Sequence, residues 1–357
     1  MVNKNRIITY LLFIAMLTTM SPIVEAQESK LPEAAIYIDK QPINTRYIMR
    51  DDHLLVPALF LKNTGAQVDK NEKYNSIVFK MKNKLFSLPI GTNYLDDYNS
   101  WLDIWKRSTI STATVNFRGE IFVPLIDVAT KLGMNVTYDS VNKTTLITTN
   151  YTIESNLVRN VNTTEKLVAL TFDDGPEDKY TPEILDILKE KGVKATFYVV
   201  GQQIEKFPEQ MRRIVNEGHG IGNHTWSHPD LKNKWSATVK EELLSTQDQI
   251  EKVVGLQSDL VRPPYGSYTK AETVLFNEIG LKNILWNVDT EDWSGNSADE
   301  ILSNVRKDLA PGSIVLQHNF GGNFLDGTVE ALPRIIDELH EEGYQFVTIH
   351  TLLDRAK

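Results

Sequence analysis

The chain has no cysteine. That excludes a disulfide framework, a thiolate metal site and a lipid-modified cysteine behind a leader. Basic residues are outnumbered, 38 Lys and Arg against 47 Asp and Glu for a net charge of −9, and they form no stripe. A nucleic-acid partner is excluded with them, because phosphate backbones are bound through clustered Lys and Arg. What is present suffices for packing. With 41% hydrophobic and 24% charged residues over 357 positions, two ordinary domains can be stabilised by core burial alone.

Lys4 and Arg6 precede an uncharged stretch from Ile7 to Val24, and Val24-Glu25-Ala26 has the small-residue pattern of a cleavage site. Residues 1–26 therefore read as an export signal, with the mature chain starting at Gln27 and carrying no transmembrane helix. The alternative is a retained anchor, since eighteen uncharged residues sit at the lower limit for crossing a bilayer. Thr9, Thr18, Thr19, Ser21 and Pro22 weaken that alternative. Either way the rest of the chain lies outside the cytoplasm, secreted or associated with the cell wall.

Residues 27–150 hold short β-type runs, such as Ala35-Ile36-Tyr37-Ile38 and Ser76-Ile77-Val78-Phe79, broken by polar turns. An imperfect repeat is visible among them. Leu55-Val56-Pro57 leads to a helical stretch, Gly65 and Val68; Phe122-Val123-Pro124 leads to another, then Gly133 and Val136. Each copy predicts a strand, a Pro-initiated helix stopped by a left-handed Gly, and a strand pair. The repeat resembles the amino-terminal domain first named from copper amine oxidases, a small α+β unit of exported cell-wall proteins. Copper itself is not implied, because His53 is the only histidine of the segment. Wall or glycan binding and a spacer role both remain open for it.

Residues 151–165 read as a linker, rich in Asn and Thr without a sustained period. From residue 166 to 357, short apolar runs alternate with amphipathic stretches. Strands are expected at Leu167 to Phe172, Ala195 to Val200, Gly220 to Asn223, Leu260 to Arg262, Asn283 to Val288, Ser313 to His318 and Gln345 to Ile349, with helices such as Thr238 to Val254 and Thr328 to Glu341 between them. Seven β-α units imply an α/β fold, a distorted (β/α)7-type barrel.

The unusual polar clusters all fall at carboxyl ends of predicted strands, where barrel enzymes place their sites. Thr171-Phe172-Asp173-Asp174-Gly175-Pro176 puts two acids at a strand stop enforced by Gly and Pro. His224 and His228, four apart, suit chelation of one ion from a helical turn. Val261-Arg262-Pro263-Pro264-Tyr265-Gly266 fixes an extended backbone. Asp289, with Trp293 behind it, and His318, after Leu316, lie on neighbouring predicted strand ends, where an acid can pair with the imidazole and keep it protonated. Taken singly, an Asp-Asp-Gly cap, a rigid Pro-Pro turn or an Asp-His pair is more often structural.

The five clusters in this order resemble the motifs of the NodB-like polysaccharide deacetylases, carbohydrate esterase family 4. The resemblance implies a hydrolase that removes N-acetyl groups from an extracellular GlcNAc-containing polysaccharide, peptidoglycan first; an O-acetyl xylan esterase and a non-catalytic wall-binding protein are the alternatives. It implies that Asp174, His224 and His228 hold a divalent metal, zinc before cobalt, manganese or nickel. It makes Asp173 the general base, oriented by Arg262; His318 the general acid, charged by Asp289; and Tyr265, through its backbone N–H, a donor to the substrate oxygen. Trp293 and Leu316 would wall the acetyl slot. Gln317 and Asn319 depart from the family pattern beside His318, which is expected to alter the pocket rim.

Overall fold

The structure, a computed structural model, describes residues 30–321 and 324–355. The expected export segment lies outside the described residues. Among those residues no helix is long and apolar enough to cross a membrane.

The two repeat copies take matching local structures. Strand His53–Pro57 runs into the 3-10 helix Ala58–Thr64, stopped by Gly65 at φ 95°; strand Glu120–Pro124 runs into the α-helix Leu125–Lys131, followed by Gly133 at φ 85°. Only glycine enters that left-handed region without strain. The copies face each other, since the two strands pair antiparallel with Val56 opposite Val123. Each copy continues into a hairpin, Gln67–Asn71 with Ser76–Met81 and Asn135–Asp139 with Thr144–Thr148. Val56, Leu61, Val68, Phe79, Val123, Leu125 and Val128 form one buried core between them.

The second half is built on nine parallel-paired strands: β1 Leu157–Val158, β2 Leu167–Asp173, β3 Thr196–Val199, β4 Gly220–Asn223, β5 Leu260–Val261, β6 Lys282–Ile284, β7 Val288–Asp289, β8 Ser313–His318 and β9 Gln345–Phe346. The order is β1-β6-β5-β4-β3-β2-β8-β7, with β9 beside the start of β2. Side chains alternate along β2. Val168, Leu170 and Phe172 enter the layer under the outer helices, whereas Ala169, Thr171 and Asp173 face the barrel interior.

Three expectations change. The segment read as a linker is part of the sheet: β1 pairs with β6, and the Val161 N–H donates to Gly312 O at 2.9 Å, which joins β6 to the start of β8. A two-residue strand carries too little periodicity to read. The strand expected over Asn283 to Val288 splits into β6 and β7, which do not pair with each other, so the barrel is curled rather than fully closed by its main strands. At the break Asn287 stands in for a strand partner, its Oδ1 accepting the Ile314 N–H at 2.9 Å. Finally, β9 ends at Phe346, because Thr348 caps a new helix, Ile349–Asp354.

Candidate active site

Asp173 ends β2 on the interior face and meets Arg262, which follows β5. Arg262 Nη1 donates to Asp173 Oδ1 at 2.7 Å and to Thr171 Oγ1 at 2.8 Å; Nε donates to Ile284 O and Nη2 to Leu285 O. The guanidinium is fully buried and lies 4.0 Å from the Tyr198 ring centroid. A charge buried this deeply is tolerable only when paired and hydrogen-bonded on all sides, and four acceptors meet that condition.

The next residue would point away from the interior if the strand continued. Instead Asp174 adopts φ 79°, which turns its carboxylate back toward β4 and the loop beyond it. Asp174 Oδ1 lies 3.3 Å from His224 Nε2 and 3.1 Å from His228 Nε2. The two histidines do not share a helical turn, as their spacing suggested. They stand on a loop with Thr225 at φ 69° and His228 at φ 57°, and convergence is achieved by left-handed backbone rather than by helix periodicity. Such conformations cost energy for residues other than Gly and cluster at functional sites. Here Glu242 holds the loop, accepting the Trp226 and Ser227 N–H groups at 2.9 and 2.7 Å.

These three residues fit a divalent ion. His224 Nδ1 lies 2.6 Å from Arg262 O, and a carbonyl can only accept, so Nδ1 carries a hydrogen and Nε2 is the atom that would bind an ion. Asp174 Oδ1 is shut off from solvent without a conventional donor, and the ligand atoms of all three residues lie within 4.8 Å of one another. Acceptors crowded this closely require positive charge among them, imidazolium protons or a shared cation. Burial alone would raise the Asp174 carboxyl, but His224 and His228 outweigh it and hold that carboxyl well below the usual carboxylate range.

Across the cleft, His318 ends β8. Its partner is Asp292 and not the expected Asp289. Asp292 Oδ1 lies 2.7 Å from His318 Nδ1, and Oδ2 accepts the His318 N–H and the Thr328 hydroxyl, both at 2.9 Å. Glu291, at φ 54°, swings the chain so that Asp292 is fully buried behind the imidazole. Asp289 instead accepts from Trp286 Nε1 and from the Glu291 N–H. Burial would lower the His318 pKa, but Asp292, helped by the charges of Asp173 and Asp174, pushes it up to about 9. In the sequence nothing marks Asp292 above Asp289, as both follow the same strand within four residues.

Asp173, Asp174, His224, His228, Tyr265, Asp289, Trp293, Leu316 and His318 line one cleft of about 360 Å³, joined by Trp286; Arg262 lies beneath it. A larger groove of about 750 Å³ lies between the two halves, along Arg46, Pro57 and Trp235, but no convergent set of His and acids lines it. Trp293 and Tyr265 are exposed at the cleft's mouth, and the Tyr265 hydroxyl lies 3.2 Å from His228 Nδ1. Gln317 and Asn319 are not on the rim. Both are buried, and Asn319 clamps the loop after Asp174: its Oδ1 accepts the Gly175 N–H at 3.1 Å and its Nδ2 donates to Thr181 Oγ1 at 2.9 Å.

The family model described as polysaccharide deacetylase matches residues 160–284. A peptidoglycan-N-acetylglucosamine deacetylase of Bacillus cereus is 43% identical over 190 residues, covering 53% of this chain and 69% of that protein. A peptidoglycan-N-acetylmuramic acid deacetylase of Bacillus subtilis is 38% identical over 197 residues, 55% of this chain but 41% of that longer protein. Among solved structures, a peptidoglycan N-acetylglucosamine deacetylase in complex with 4-naphthalen-1-yl-N-oxidanyl-benzamide superposes with a TM-score of 0.55 at 40% identity, covering 56% of this chain and 92% of that one.

Proposed function

The chain belongs to the polysaccharide deacetylase family, and from that premise we propose that it hydrolyses N-acetyl groups of GlcNAc-containing peptidoglycan, releasing acetate. The observation that carries this reading is the convergence of Asp174, His224 and His228 in one cleft, with Asp173 and His318 on its walls.

Asp174, His224 and His228 would hold a divalent ion, zinc by the chemistry of two imidazoles and a carboxylate. Such an ion supplies Lewis acidity toward the acetyl carbonyl and eases deprotonation of water. The remaining work belongs to side chains. Asp173 Oδ1 is committed to Arg262, which leaves Oδ2, 3.8 Å from His224 Nε2, to accept a proton from the attacking water. The Tyr265 N–H donates to the oxygen of the tetrahedral carbon, a type of contact worth about 3 to 4 kcal/mol in acyl transfer. His318, with Nδ1 bound to Asp292, keeps an Nε2 proton to give to the leaving amine. Trp293 and Leu316 wall the acetyl group.

An extracellular, wall-associated location follows from the proposed substrate, and the resemblance of the repeat to domains of exported cell-wall proteins supports that reading. The name of the Bacillus subtilis relative makes N-acetylmuramic acid the second sugar to consider. The test is mass spectrometry of muropeptides from peptidoglycan treated with the parent protein or with Asp174→Ala. Loss of an acetyl group from the GlcNAc residue with the parent alone is the expected result; unchanged muropeptides with the parent would overturn the assignment.

A further inference from the structure

Lys62 belongs to the 3-10 helix of the amino-terminal domain, yet its ammonium is fully buried and its three oxygen partners all belong to the other half of the chain. Nζ donates to Leu231 O at 2.8 Å, to Lys234 O at 2.7 Å and to Glu272 Oε1 at 2.8 Å. An ammonium has three hydrogens, and each one has an acceptor here. Glu272 in turn forms the capping box of helix Lys270–Glu278 with Thr269.

A second contact lies beside the first. Helix Ser236–Val254 begins after Trp235, which has no side chain able to cap it. Asp69 of the amino-terminal domain supplies the cap, its Oδ1 accepting the Ala237 N–H at 2.6 Å, while the Val68 N–H donates to Ser236 Oγ at 3.0 Å. The chain from His228 into the first turn of this helix is thus fixed by the neighbouring domain at Leu231, Lys234 and Ala237. The same helix carries Glu242, which holds Trp226 and Ser227 immediately before His228. Ser267 Oγ donates to Asp230 Oδ1 at 2.7 Å, which ties the segment to the turn bearing Tyr265.

Adhesion between domains does not require this arrangement. A well-packed apolar contact would hold them as well or better, since burying an ion pair gains little stability over hydrophobic isosteres. What three directed hydrogen bonds and a helix cap add is a fixed geometry. We propose that the amino-terminal domain braces the active site, with Lys62 and Asp69 as positioning residues for the loop that presents His228. The proposal rests on reading Asp174, His224 and His228 as a divalent-ion site.

Lys62→Met alone strands the buried Glu272 carboxylate, so the informative variants of the full chain are Lys62→Met combined with Glu272→Gln, and separately Asp69→Ala. Two readouts are taken. In the metal-free chain, hydrogen exchange of amides 230–237 should quicken in both variants while the strands 167–173 and 313–318 keep the parent's protection. Zinc affinity, measured by competition with a chromophoric chelator, should fall about tenfold, the usual effect of losing support behind a ligand. Exchange that rises alike in every element, or stays at the parent's rate, overturns the brace. A parent that binds no zinc refutes the ion site instead, and the exchange arm still decides the brace because it is run without metal.

Discussion

Asp292 and His318 are joined twice, through Oδ1 to the imidazole Nδ1 at 2.7 Å and through Oδ2 to the backbone N–H at 2.9 Å. One carboxylate therefore fixes both the position of the residue and the tautomer of its ring. Asp292→Asn should lower the His318 pKa from about 9 toward its ordinary value near 6.5, read by NMR titration of the metal-free protein. His318→Ala should cost ~10²- to 10⁴-fold in kcat, the range for a general acid. Asp289→Asn should leave the titration nearly unchanged, as Asp289 does not touch the ring.

The same shift has a stability counterpart with a definite sign. A pKa raised from 6.5 to about 9 means that the folded state favours the protonated imidazole. Its contribution, on the order of 3 kcal/mol, is complete below pH ~6.5 and lost as pH rises through ~9. Urea unfolding of parent and Asp292→Asn should differ most at or just below pH ~6.5 and converge in alkali.

Arg262→Met should destabilise the fold by about 3 to 5 kcal/mol, because it leaves the Asp173 carboxylate buried without its partner. Pairing it with Asp173→Asn should recover much of that loss without recovering activity. Denaturant midpoints and acetate release measured on the same samples separate the two effects.

Chelation should abolish acetate release and lower the melting temperature, with added zinc restoring both. At a free ion concentration of 100 times Kd the stabilisation should be about 2.7 kcal/mol. Asp174→Ala should remove the response. In the metal-free parent the depressed Asp174 carboxyl contributes stability that is present above the ordinary carboxylate range and lost as pH falls.

Much of the frame was legible because short apolar runs alternate with amphipathic stretches, a pattern that few folds accommodate. Gly220–Asn223 and Ser313–His318 form as strands over the expected spans. The site residues were legible as a set of strand-end clusters, and the structure gathers them in or beneath one cleft. The unreadable parts depend on contacts that sequence spacing does not encode. Asp292 replaces Asp289 only because Glu291 is left-handed. Residues 157–158 become a strand only because β6 leaves an edge there. Nothing in the sequence marks Lys62, whose burial depends on the second domain.

Gly175 follows Asp174, and a Cβ placed on it would fall within 2.2 Å of Asn319 Nδ2 and 2.6 Å of its Cγ. Asn319 cannot retreat without losing its bonds to the Gly175 N–H and to Thr181. Gly175→Ala should therefore displace the loop that aims Asp174, and activity should fall more than stability. Asn319→Ala removes the clamp but opens the space, so Gly175→Ala in that background should cost little more than Asn319→Ala alone. Contacting residues typically couple by 0.5 to about 3 kcal/mol in such cycles. Measuring kcat/KM and zinc affinity for the four proteins gives the coupling directly. Additive losses would mean that the glycine is needed for some reason other than the room Asn319 takes up.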